Sequence, residues 1–262
     1  MVAAAPTRTE PPSSPGGRPP LGPPLRERGT VRHDEVRARR WELHGIAKVL
    51  RGVEVGETEV DGSLVVGGPL VAGELLVRGS VEGRGPITVA GRLRVRGSLD
   101  VRSTGTAGTA WVHGSLRADG ELAVEGTFDL RGRLRAPAVR CGTLRLRGTS
   151  DVGGTLAATS VTLELEGDSS LGTVRCHDLR LRGPRPNVVR RVLGQEAVVT
   201  VDRVEAETAH VEAARVGFLR AREVVLGPDA HVGEVEGRVV RAHPTSHVGP
   251  ESWSRPPAGL SR

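Results

Sequence analysis

The chain has 262 residues, with 36 glycines, no tyrosine, two phenylalanines and one methionine. That composition argues against a thick globular core, which aromatic side chains would fill, and for a narrow one of Val, Leu and Ala. The net charge of +6 and pI near 10.8 invite a polyanionic partner, no apolar run reaches the length of a membrane span, and two cysteines do not make a disulfide framework.

Residues 1–38 concentrate proline (Pro11, Pro12, Pro15, Pro19, Pro20, Pro23, Pro24). Proline disfavours helix and sheet alike, so a disordered tail is expected. The N-terminus lacks the uninterrupted apolar stretch of a signal peptide. The expected location is therefore cytoplasmic, with a peripheral place at the inner face of the membrane if the tail's Arg18, Arg26, Arg28 and Arg32 touch an anionic surface. A merely solvated tail is an equal reading.

Residues 33–50 have a loosely helical spacing (Val36, Leu43, Ile46, Leu50), but Gly45 and the phrase Trp41-Glu42-Leu43-His44-Gly45 favour a first strand. From residue 39 to 183 one phrase recurs: apolar, polar or small, apolar, polar, then usually Gly. Copies open at Gly62 (Leu64, Val66), Gly73 (Leu75, Val77) and Gly91 (Leu93, Val95), with irregular coils expected over 51–101. Residues 103–110 read as a loop expelled from a coil. The most regular stretch follows, with Gly114, Gly120, Gly126 and Gly132 six residues apart and apolar pairs between and after them. Two-residue alternation is that of a strand with one buried face, and four residues are too few for a helix. Short strands separated by bends, with no room for helices, predict a β-solenoid. The pair Leu122/Val124 recurs at Val139/Cys141, Leu156/Ala158 and Val174/Cys176, in steps of 17, 17 and 18. Coils of about 17 to 18 residues with three short strands each follow.

Stacking these coils about 4.8 Å apart predicts two outward charge rows. One runs Asp129, Arg145, Glu164, Arg180, the other Arg131, Arg147, Glu166, Arg182. Opposed charges on adjacent strands attract, so the arginines are expected to be compensated in place. With no aromatic stacking platform in view, nucleic acid is not an expected partner. Residues 184–197 form a break or linker marked by Pro184 and Pro186. Over 198–250 the apolar period falls to five (Val204/Ala206, Ala209/Val211, Ala214/Val216, Leu219/Ala221, Val224/Leu226). Three such sides predict a second solenoid segment with coils of about 15 residues. Residues 251–262 are expected to be a disordered tail. The expected fold is thus an all-β helix, or solenoid, flanked by disordered tails.

Three phrases carry a family resemblance: Gly172-Thr-Val-Arg-Cys-His-Asp-Leu-Arg-Leu-Arg-Gly183, Gly132-Arg-Leu-Arg-Ala136 and Gly114-Ser-Leu-Arg-Ala118. They are similar to the repeat of the bactofilins, bacterial polymer-forming cytoskeletal proteins. The segment from Val201 through Val235 looks like the C-terminal part of long bactofilin-like proteins of Gram-positive bacteria. The resemblance covers roughly residues 40–240. It implies a right-handed β-helix, polymerisation without nucleotide, and a scaffold role in cell shape, envelope work or motility.

Residues with chemical potential are few. The eight histidines do not cluster, and Pro244 between His243 and His247 speaks against a helical metal pair. Cys141 and Cys176 fall on one face two coils apart, too far for a disulfide, which needs Cα atoms within about 7 Å. No cofactor, metal site or catalytic constellation is expected. A hexapeptide-type β-helix acyltransferase, whose catalytic histidine accompanies a loop as His113 follows residues 103–110, is the enzymatic alternative, and a basic adapter for anionic membranes is the other. The leading expectation is non-enzymatic self-assembly into a homopolymer. Its contacts would come from Val53, Val55 and Val60 at one end and Leu226, Val232 and Val235 at the other, because open solenoid ends are templates for strand pairing.

Overall fold

An apolar-x-apolar strand buries one face only when a neighbouring strand and the far wall of the coil cover it. The chain meets that need by stacking parallel coils. The computed structural model describes residues 21–184 and 197–249, built from strands, turns and bends. The strands are β1 (Leu25–Val66), β2 (Leu70–Gly83), β3 (Ile87–Val101), β4 (Gly105–Ala118), β5 (Leu122–Ala136), β6 (Val139–Leu165), β7 (Ser169–Arg175), β8 (Asp178–Arg182), β9 (Val199–Glu212), β10 (Arg215–Leu226), β11 (His231–Ala242) and β12 (His247–Val248). Every pairing between them is parallel, and together they make a β-solenoid of about 11 turns. Many of these elements run continuously around corners, so one label can span more than one coil.

The three sides of a coil are clearest in β5. Leu122/Val124, Phe128/Leu130 and Leu134/Ala136 all point inward and are buried. Each such aliphatic or aromatic side chain contributes roughly 1.5–3 kcal/mol by leaving water. The register follows the expected ladder here, with Leu122 opposite Val139, Val124 opposite Cys141 and, further on, Leu156 opposite Val174.

One corner depends on glycine. Gly45, Gly62, Gly79, Gly97, Gly114, Gly132 and Gly148 stack in line, with φ between 134° and 139°. A Cβ at any of them would run into the carbonyl of the glycine one coil below. Gly120 and Gly126, which share the six-residue interval with Gly114 and Gly132, lie at other bends without positive φ.

Four expectations change. The folded part begins well before residue 39. β1 starts at Leu25, and Leu25 and Val31 pack on the core. The proline-rich composition ends at Pro24, after which inward and outward residues alternate. Residues 1–20 lie outside the described residues, as do 185–196 within the expected break and 250–262 at the C-terminus. Residues 103–110 are no expelled loop, since β4 pairs with β3 and β5 from Gly105 onward. Small inward residues, Ala107 and Ala110, replace the usual Leu or Val without breaking the strand, and they leave a small apolar cavity of about 20 Å³ beside Phe128. Residues 53–101 form coils as regular as those after them. Finally, the C-terminal segment continues the same solenoid. β9 pairs with both β7 and β8, Leu171 facing Val201 and Leu181 facing Val211, so the extra length lies in one coil. Beyond it the period shortens as expected, with Val201 opposite Val216 and Val204 opposite Leu219.

Candidate functional site: the two ends and the basic side

In a solenoid with a dry, repetitive interior, distinctive chemistry sits on the outer sides and at the ends. The ends differ from each other. At the N-terminal end the inward position two residues after Leu25 holds a carboxylate, Glu27. It accepts a hydrogen bond from Trp41 Nε1 at 3.0 Å and meets His33 Nε2 at 2.6 Å. Trp41 is fully buried, and the His33 ring stands edge-on to it with centroids 6.4 Å apart. An inward-facing acid at the last coil is one of the devices by which proteins blunt a sheet edge.

Among the described residues the C-terminal end has no such plug: β11 pairs with β10 on one side, and its other edge pairs only with β12, at His231 and Val232. Val235, Val239 and Ala242 lie over the core residues Leu219, Val224 and Leu226. They therefore top the apolar columns, and Val239 is 42 % exposed. The ring of His231 stacks on that of His247 at 5.1 Å. Burial, and then the neighbouring His247 and Arg215, hold His231 below the ordinary histidine range.

The expected end residues fall differently. Val53, Val55 and Val60 are buried within the stack, because Gly56 and Gly62 sit over Arg39 and Gly45 of an earlier coil. The N-terminal edge is formed instead by the strand that begins at Leu25. Leu226 and Val232 are also buried, and Val235, partly buried, belongs to the open edge. The coils before Val53 carry a tail-like composition, rich in arginine and glutamate, which conceals them in the sequence.

The charge rows are also partly redrawn. Asp129 lies opposite Arg145 and Arg131 opposite Arg147, as expected. In the next part of the sheet Glu164 lies opposite Arg182, and Thr162 opposite Arg180. Val161, Leu163 and Leu165 are all buried, so a register shifted by two residues keeps the same faces in and out. Alternation alone cannot choose between the two. Glu166 reaches Arg147 at 2.7 Å, and Arg182 pairs with Glu212 at 3.1 Å.

The rows also extend further than alternating signs suggest. Arg78, Arg96, His113, Arg131 and Arg147 occupy one outward column in consecutive register. Two residues earlier runs Leu76, Arg94, Trp111, Asp129 and Arg145. The Arg94 guanidinium lies 5.5 Å from the centre of the Trp111 ring. The signal in the sequence is the residue one coil away from each arginine, which is often another base.

Other candidates are dispersed. His113 is exposed in the sheet between Arg96 and Arg131. His243 bonds Thr245 Oγ1 at 2.9 Å in a turn, while His247 stacks on His231. Among the described residues no group of three His, Cys, Asp or Glu could hold a metal ion, and no helix is long and apolar enough to cross a membrane. Cys141 and Cys176 are free thiols, both pushed up to about 12 by burial, with Asp178 adding to the effect at Cys176. Comparison with protein-family models, curated proteins and solved structures yields no match.

Proposed function

We propose that this protein is a non-enzymatic, bactofilin-like scaffold that self-associates through its solenoid ends without nucleotide, and that the C-terminal coil supplies the primary contact. A β-solenoid is compatible with such a role. The observation that carries the reading is the open β11 edge, which is complementary to itself. Paired antiparallel about a twofold axis at Gly237, Val235 of one copy faces Val239 of the second, and Glu236 faces its Arg238. The apolar positions meet at the core and the opposite charges meet outside. A twofold contact of this kind uses the same patch on both copies. The Glu27 plug makes the N-terminal end the weaker partner, so a C-to-C dimer forms first and longer polymers extend from it through the N-terminal ends.

Analytical ultracentrifugation across a concentration series tests this, with electron microscopy at high concentration. Arg238→Glu should shift the population to monomer, and Glu236→Arg added to it should restore the dimer. A wild type that stays monomeric at every concentration would remove the scaffold reading. A dimer indifferent to both charge changes would remove the β11 geometry.

A further inference from the structure

We propose that the side of the solenoid carrying Arg94, Arg96, Trp111, His113, Arg131 and Arg145 is a docking face for an anionic phospholipid surface. The inference is independent of end-to-end association. Elsewhere most outward arginines are paired with carboxylates, for example Arg102 with Glu82 and Arg140 with Glu121, and an unpaired one such as Arg133 lies between uncharged neighbours, Ser115 and Thr149. On this side the unpaired ones cluster. Among the described residues, Arg94, Arg96, Arg131 and Arg145 have no carboxylate within ion-pairing distance, although Asp129 shares their face. The compensated members, Arg78 with Asp61 and Arg147 with Glu166, stand at the two margins. Like charges directly opposed on adjacent strands destabilise a sheet. Arg78 opposite Arg96 and Arg131 opposite Arg147 are such pairs, with His113 between them, so the face carries a cost in folding that an anionic partner would offset.

The geometry selects the partner. Arg96, His113, Arg131 and Arg147 follow one another at about 4.8 Å, so the column spans roughly 15 Å, and the parallel Arg94–Arg145 column lies about 7 Å away on the same sheet face. Two parallel columns on one sheet face make a planar array, suited to a planar partner, with a concavity at its margin where Arg94 faces Glu57, Glu59 and Glu74. Trp111 is half-buried at its centre under Arg94. An indole between apolar sheet and water suits the headgroup level of a bilayer. Single-stranded nucleic acid is the weaker fit, because it is held by successive bases stacked on several rings. Here there is one ring, already covered by a guanidinium. Docked this way, the solenoid axis lies parallel to the membrane.

The test is co-sedimentation of the full chain with vesicles of phosphatidylcholine mixed with phosphatidylglycerol, against pure phosphatidylcholine, across salt concentration. Binding is expected only to the anionic vesicles and should fall as salt rises. Arg96→Ala with Arg131→Ala should lower the partition coefficient by roughly 30-fold, at about fivefold per arginine. The control, Arg140→Ala with Arg175→Ala, removes the same charge from ion-paired positions. It should change binding by no more than about twofold. All four positions are exposed, and circular dichroism checks that each variant remains folded. The proposal is overturned if both double variants lose binding equally. It is overturned equally if Arg8→Ala with Arg18→Ala abolishes binding while the Arg96/Arg131 variant retains it. Equal binding to neutral vesicles, or a preference for a single-stranded oligonucleotide over anionic vesicles, would also sink it.

Discussion

The glycine corner makes a demand that the six-residue spacing conceals. Gly114 and Gly126 occupy equivalent places in the sequence phrase, yet alanine should affect them very differently. At Gly114 φ is 135°, a region that L side chains rarely adopt, and the added Cβ would be driven into the Gly97 carbonyl. The backbone strain alone is worth about 1–3 kcal/mol. The clash adds to it, because the obstacle is main chain held by the sheet on both sides. A loss of at least about 3 kcal/mol is expected, which for a chain of this size lowers the melting temperature by roughly 6–12 °C. At Gly126 φ is ordinary, and the nearest obstacles, the Thr109 Cγ2 methyl at 3.1 Å and the Gly108 carbonyl oxygen at 3.2 Å, ask for shifts of only a few tenths of an ångström. Gly126→Ala should therefore stay within about 1 kcal/mol of wild type, with part of any cost recovered because alanine restricts the unfolded chain. Gly153→Ala, with open space around the new Cβ, serves as the neutral reference. Thermal and urea unfolding followed by circular dichroism read all three. Equal melting of the Gly114 and Gly126 variants would refute the corner argument, whatever their common value.

Further outcomes are expected. Cys141 and Cys176, both pushed up to about 12, should react slowly with a thiol reagent at pH 8 in the folded protein and rapidly in urea, and oxidation should not link them; fast native labelling would contradict their burial. Glu164→Arg should cost no more than about 1 kcal/mol, and Arg182→Glu should relieve it while Arg180→Glu should not; relief by Arg180 alone would restore the alternative register. Because His231 is held below the ordinary histidine value, its neutral form favours the fold. Its contribution is complete above about pH 6.5 and is lost as the pH falls through the depressed value. Hydrogen exchange at the His247 and Gly249 amides, which donate to Ala230 and Val232, corrected for intrinsic rate, should accelerate between pH 7 and pH 5, and unchanged protection would show that the stacked imidazoles do not hold β12.

Much of the solenoid is legible because its energetics are local and repeated. Leu122, Phe128 and Leu134 each mark one side of one coil, and the 17-residue step from Leu122 to Val139 is visible once the phrase is counted. The same repetitiveness hides register. Val161, Leu163 and Leu165 offer two equivalent alignments, so alternation does not place Glu164. The first coil is hidden for another reason. Its inward positions after Leu25 include Glu27, which looks like a tail residue until Trp41 and His33 are seen to bind it. Chemistry aimed inward at an end has no periodic signature.

On the proposed scaffold reading, that asymmetry between the ends bears on how copies would associate. Parallel coils leave two edges by construction, and the interior offers no reason for stacking to stop. What stops it must be placed at the ends, and the chain places different things there. Glu27 puts a carboxylate where the next apolar layer would go, a polar group whose burial is offset by its contacts with Trp41 and His33. Among the described residues no strand lies over Val235 and Val239 of β11, which end columns that are predominantly apolar. The positive-φ glycine corner runs from Gly29 to Gly148 and, among the described residues, returns at Gly237 and Gly249. The later coils are also shorter: Val201 is followed one coil on by Val216, where Leu122 was followed by Val139. The last coil lengthens again, from Leu226 to Ala242, to the same 16-residue step that the first makes from Gly29 to Gly45, so coil length does not distinguish the ends. Head-to-tail stacking would bury Glu27 between two apolar layers. C-to-C contact avoids that and joins identical corners. Charge and apolar exposure thus support the proposed symmetric pair, and a polymer built from it would have no polarity.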